Sequence, residues 1–340
     1  MLFLFNHNHF ISTKNRMKKS LFTAILFFCC SFLKAQSLQF TFADSTFLPM
    51  KPAGQLHGIS AIEYEPTQKQ WHLAGDRGAY FVFSNINSIR DFEKQEKALI
   101  AKSTHNWFES VRFDKTNGRF LYAVENEYEP VWENIDTTTF VAYYDSYPPV
   151  SKRPEFLISP MWLPADNKGI EGMAVTDGGV VWVAPEAGWA GETEVGQDTI
   201  HFLKFEKNEI GYQHPQSFSY VIDRSGCPYS KTEHRGGISE ILSVNETQLL
   251  VLERCYDNGK GGSEIVKAKL WQVTVDGNHL KKDPEPAFDF NKGLPFVPDN
   301  LEGMSWWPTE SGKRKLLVVS DDNPGLKNKQ RTQLILLEEK

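Results

Sequence analysis

Acidic residues recur at two matched places along this chain. Apolar, strand-like segments open beside them: HGISAIEYE (57–65), NWFESVRFD (106–114), GIEGMAVTD (169–177), GGISEILSV (236–244) and NLEGMSWWP (300–308). The segments that follow end on them: QWHLAGDRG (70–78), RFLYAVENE (119–127), VVWVAPEAG (180–188), QLLVLERCY (248–256) and KLLVVSDDN (315–323). Glu109, Glu171 and Glu302 mark openings, and Asp76, Glu125, Glu186, Glu253 and Asp321 mark paired ends. His57, Glu240, Asn300 and Asp322 flank them, and Arg77 and Arg254 are the basic members. Two carboxylates about 5 Å apart repel by roughly 3 kcal/mol at an effective dielectric near 20. A gathered set therefore needs protons, arginines or a divalent cation. Oxygen donors without a His or Cys cluster favour Ca²⁺ over zinc or copper. The alternative is that each acid caps turn amides or bridges neighbouring repeats.

The elements that would gather these acids repeat. Openings near 58, 109, 171, 239 and 302 give steps of 51, 62, 68 and 63 residues, which suits β-propeller blades with generous loops. Each repeat reads as four strands, the fourth repeat ending near 285–290, while the fifth supplies three. SLQFTFADSTF (37–47) alternates and is aromatic, so it is the candidate that completes the last blade and closes the ring. The expected fold is an all-β propeller of five blades, with a sixth accommodated only if 125–165 or 188–235 hides another unit. Adjacent antiparallel strands would then bring the start of each first strand and the end of each second strand to one edge of the disc, near its axis. Residues 90–99 read as a loop or a single turn.

The first 35 residues differ from the rest. Lys18 and Lys19 precede the apolar run Leu21–Leu33, and Ala35 offers a small residue for cleavage, which is the pattern of a secretory signal peptide. Met17 is a natural start within it, making residues 1–16 an overlong leader. Residues 36–340 would form the mature single domain, secreted or periplasmic, with no membrane span and expected to be monomeric. Losing residues 1–35 removes five basic side chains and no acidic ones, taking the formal charge from −6 to −11. So acidic a domain is a poor partner for nucleic acid. It suits cations, or an anion bridged by cations. Cys227 and Cys255 remain, and the sequence leaves open whether they pair. The pair Trp306–Trp307 reads as core and rim packing.

NKGIEGMAV (167–175), GISEILSV (237–244) with LLVLERCY (249–256), and DNLEGMSWWP (299–308) with LLVVSDDN (316–323) resemble the phytase-like domain family, often called esterase-like activity of phytase. HGISAIEYEP with AGDRG matches that family's opening segment, and the likeness spans roughly 54–339. It implies a secreted propeller that hydrolyses a small ester or phosphoester with Ca²⁺. It places the family's acidic positions on Glu171, Glu253, Glu302, Asp321 and Asp322, beside Arg254 and Asp76–Arg77.

On this reading Glu171 or Glu302 acts as base, and Arg77 and Arg254 hold the anionic group. Asp76, Glu125, Glu186, Glu253, Asp321 and Asp322 hold the metal. His57, Glu109, Lys168, Asn300 and Arg331 meet the substrate. A lactonase-type metal site built from Glu302, Asn300 and Asp321 is an alternative, as is a non-catalytic binding propeller whose ligand is met by the loops 126–137 and 188–199.

Overall fold

A computed structural model of the chain describes residues 37–48, 58–75, 78–94, 99–102, 108–127, 138–144, 156–157, 169–189, 192, 198–209, 211–228, 236–259, 262–310, 312–323 and 330–340. The leader, His57, Asp76, Arg77, Lys168 and most of the two long loops lie outside these residues. No helix among the described residues is long and apolar enough to cross a membrane.

Alternating aromatic and β-branched residues give antiparallel strands in four-stranded units. The first unit is β2 (Ile59–Glu65), β3 (Gln70–Gly75), β4 (Ala79–Ser84) and β5 (Leu99–Lys102). The second is β6 (Phe108–Asp114), β7 (Arg119–Glu127), β8 (Thr138–Tyr144) and β9 (Phe156–Leu157). The third is β10 (Ile170–Val175), β11 (Val181–Pro185), β12 (Thr199–Phe205) and β15 (Gln216–Val221), interrupted by the small hairpin β13 (Lys207–Asn208) and β14 (Gly211–Tyr212). The fourth is β16 (Gly236–Asn245), β17 (Gln248–Gly259), β18 (Gly262–Asp276) and β19 (His279–Lys282). The last is β21 (Asn300–Trp307), β22 (Lys315–Asp321) and β23 (Gln333–Glu339), completed by β1 (Phe40–Phe47).

β1 pairs with β23 from Phe40–Glu339 to Phe47–Gln333, so the N-terminal strand closes the last unit as the alternation of 37–47 predicts. The fourth unit differs from expectation: its β19 pairs in parallel with β15 at His279–Ser219, so the third and fourth units share one continuous sheet. β18 is 15 residues long and accommodates two short partners, β19 through the turn at Gly277 (φ 61°) and β20 (Phe288–Asp289) further along. Residues 91–94 form one helical turn.

Among the described residues five apolar clusters lie between neighbouring units, one at each junction including that of the last unit with the first. Leu317 and Val319 of β22, for example, pack with Ile59 and Leu73 of the first unit. The first strands β2, β6, β10, β16 and β21 touch in that order, and β21 returns to β2, so they wall a central channel. This is a propeller: sheets that bury both faces against neighbours around an axis.

Cys227 and Cys255 form a disulfide with Cα atoms 5.8 Å apart. It ties the segment after β15 to β17, across two units. Closing 28 residues is worth about 3–4 kcal/mol in the chain-entropy picture. We expect Cys255→Ser to lower the urea midpoint correspondingly and to make stability insensitive to dithiothreitol. Equal stability of the two proteins under oxidising conditions would refute this.

Candidate active site

The register of every first strand slips at the same place: between Ile59 and Ala61, Phe108 and Ser110, Ile170 and Gly172, Ile238 and Glu240, and Leu301 and Gly303. The skipped residues are Ser60, Glu109, Glu171, Ser239 and Glu302. A β-bulge leaves one residue unpaired and re-aims its side chain. Repeated around the ring, it supplies three glutamates and two serines at one end of the channel.

Arg254 of β17 organises this end. Its Nη2 lies 2.7 Å from Glu302 Oε1 and 3.5 Å from Glu171 Oε1, and its Nη1 donates to Asn300 Oδ1. Asn300 donates in turn to Glu302 Oε1. The Arg254 Nε has no hydrogen-bond partner. Burial drives the Glu171 carboxyl well above its usual range, and the surrounding Glu186, Glu109, Glu302 and Glu125 add to it. Burial pushes Glu302 up to about 8, against the pull of Arg254 and reinforced by Asp321 and Glu186. Burial opposes the charge on Arg254, but Glu302, Glu171 and Glu186 outweigh it, so the guanidinium stays charged. Among the described residues, Arg254 is the positive charge that Glu171 and Glu302 share.

Other acids clasp neighbouring units. Asp322 Oδ1 accepts from the Gly58 N–H at 3.0 Å, and Glu125 Oε1 from the Gly169 N–H at 2.7 Å. At the next junction the Glu186 carbonyl accepts from the Ile238 N–H at 2.8 Å. That approach needs Gly237, where a Cβ would meet the Glu186 oxygen at 2.2 Å. Capping and gathering thus coexist at one edge.

The donors gathered here are all oxygen atoms, with Glu186 and Asp321 close enough to raise the carboxyls of Glu171 or Glu302. Among the described residues no three His, Cys, Asp or Glu side chains are placed to hold a metal.

Residues 54–324 match the model of the phytase-like family, described as esterase-like activity of phytase. The chain belongs to this family. Among curated proteins no sequence matches. Among solved structures, a gluconolactonase of Xanthomonas campestris aligns over 91% of this chain and 99% of its own, at 12% identity and a TM-score of 0.41. U3-55K aligns over 88% of this chain and 100% of its own, at 9% identity and a TM-score of 0.44.

Two expected members of the site in this phytase-like chain lie elsewhere. Glu253 neighbours Arg254 on β17, and successive strand residues face opposite ways. It is buried and accepts from Tyr220 Oη at 2.7 Å, Trp271 Nε1 at 3.0 Å and Lys282 Nζ at 2.6 Å. It is a structural hub between the third and fourth units. Arg331 is exposed and pairs loosely with Asp299 at 3.7 Å.

A second buried group joins Glu240, which the sequence places beside the strand openings, to Arg112, which it does not single out. Deeper in the channel, Arg112 Nη2 meets Glu240 Oε2 at 2.7 Å, with Arg112 2% and Glu240 0% exposed. Glu240 Oε1 also accepts from Ser110 Oγ at 3.1 Å and from the Met173 and Ile241 N–H groups at 3.1 and 2.9 Å. Arg112 Nη1 lies 3.6 Å from Glu63 Oε2, which accepts from Ser305 Oγ at 3.0 Å. Burial raises both carboxyls, Glu240 to about 8, despite the attraction of Arg112. The signal was present: counting from each bulge, Glu63 and Arg112 hold the same place in adjacent repeats with opposite charge.

Proposed function

We propose that this chain is a secreted ester hydrolase acting at the Arg254 cluster on small carboxylic esters or phosphomonoesters. The observation that supports it is one guanidinium shared by two buried carboxyls from matched bulges, with Arg254 Nε left over for a substrate oxygen. Near neutral pH such a carboxyl pair holds protons jointly. The ionised member takes a proton from the attacking water, the water oxygen bonds to the acyl or phosphoryl centre, and the protonated member gives its proton to the departing alcohol. The arginine steadies the negative charge that grows on the substrate. Among the described residues Arg254 is the cation that Glu171 and Glu302 share, which favours a singly charged or neutral ester over a polyphosphate.

Ca²⁺ would sit with Glu186 and Asp321 beside Glu171 and Glu302; when bound it would polarise the substrate oxygen and acidify a water. A lactone is a cyclic ester of the same class, and Asn300, paired with Asp321 and bonded to Glu302, favours a lactonase-type metal set as the second reading. The leader and the disulfide support export to an oxidising compartment.

The test is hydrolysis of p-nitrophenyl acetate and p-nitrophenyl phosphate with and without Ca²⁺. We expect Glu171→Gln and Glu302→Gln to lose at least about a hundredfold in kcat/KM while keeping the parent's circular dichroism. Chelation should lower Tm by several degrees if the cation is held. No turnover above these variants with any ester or lactone leaves a non-catalytic binding propeller.

A further inference from the structure

The other mouth of the channel opens into a cavity of about 870 Å³. The far ends of all five first strands and the turns after them wall it. This lies within the range of small-molecule sites, roughly 300–1,000 Å³. Nothing in the ester-hydrolase reading uses it.

Its chemistry is unlike that of the acidic end. Five cationic and three acidic side chains line it, in a chain whose formal charge is −6. The cations stand apart: Lys69 belongs to the first unit, Lys115, paired with the exposed Asp177 at 2.7 Å, to the second, and Arg314, paired with Glu339 at 3.0 Å, to the last. Such spacing suits carboxylates spread along a ligand better than one compact phosphate. The ring of Trp306 is partly exposed, with Arg314 over it at 5.7 Å and its Nε1 donating to the Ser243 carbonyl at 2.8 Å. Side-chain amides at Gln68, Asn85 and Asn245 offer partners for hydroxyls. At the buried end, Arg112 Nε has no hydrogen-bond partner.

The backbone points to the same place. Lys69 and Asn85 have φ of 55° and 60°, and they are two of three non-glycine residues with positive φ among those described. In the matching hairpin of the next unit that conformation falls on Gly118 (φ 62°). A lysine held where glycine would be unstrained keeps its side chain at the cost of backbone comfort, a pattern typical of functional positions. Lys69 makes no ion pair with a described residue.

We propose that this cavity binds an anionic oligosaccharide, with the exposed part of the Trp306 ring as stacking face and with Lys69, and Lys115 in exchange for the exposed Asp177, meeting its carboxylates. Sugar C–H faces pack on indole, and paired charges at the rim add affinity that salt weakens.

The experiment is calorimetric titration of the full chain with trigalacturonate and with a hyaluronan tetrasaccharide, against maltotriose and citrate. At least one uronate probe should bind, more weakly at high salt. Lys69→Gly and Lys69→Gln should each weaken it about tenfold or more, while Lys69→Gly melts no lower than the parent because the strain is relieved. Glu171→Gln should bind as the parent does. The proposal is overturned if neither uronate binds at millimolar concentration, if maltotriose or citrate binds equally well, if both Lys69 variants keep full affinity, or if Glu171→Gln loses binding.

Discussion

Arg112→Met should cost about 3–5 kcal/mol of folding stability, the usual penalty for stripping the partner from a buried ion pair. The guanidinium also donates to the carbonyls of Val111 and Ile241, at 2.7 and 2.8 Å, so three first strands lose a shared tie. The double variant Arg112→Met/Glu240→Met should recover part of the loss, because Glu240 no longer stands as an unpaired buried carboxyl and Glu63 alone is left without the arginine. Urea unfolding of both proteins decides it. A single variant as stable as the parent would mean that water or a shifted neighbour already serves Glu240.

Stability should fall as the pH rises from about 4.5 to about 8. Glu240 and Glu302 both titrate near 8 in the fold, against about 4.5 for the unfolded chain. Between those values the folded state binds more protons than the unfolded state, so each unit of pH removes stability. The contribution is complete below about 4.5 and gone above about 8. Taken at half its face value, one such group is worth on the order of 2 kcal/mol. Glu63 and Glu171, also raised, act in the same sense. Carboxyls held low by arginine, such as Asp44 and Glu339, weaken the fold only under stronger acid. Denaturant midpoints at pH 5, 6.5 and 8.5 test the slope. Glu240→Gln should flatten part of it, and saturating CaCl₂ should flatten the part that arises at the Arg254 cluster. A midpoint that rises steadily to pH 8.5 would contradict the account.

The strand plan was legible because each repeat carries its own hydrophobic alternation and turn residues. Strand ends from Ile59 to Glu339 follow the predicted segments to within a few residues in most repeats, and 37–47 reads as an orphan strand because the fifth repeat lacks one. Register was not legible. No local pattern distinguishes a bulged Glu171 from a paired one; the slip shows only when β10 is laid against β11. Glu253 misled for the same reason: its place at a strand end matched the other acids, but its neighbour Arg254 took the inward face. The Arg112–Glu240 pair joins residues 128 positions apart, and a search confined to strand ends finds Glu240 but passes over Arg112, which lies within β6.

The closure of the ring has a consequence for how the chain becomes a protein. β1 is made before every other described strand, and its partner β23 after them. Until β23 has emerged, β1 has no sheet to join and the last unit has a bare edge open to any other chain. Completion of the ring is thus a single event that waits on strands far apart in the order of synthesis. Such distant pairing folds slowly. A chain cut short by even its final strand would lose both its seam and its protection against sticking to its own copies.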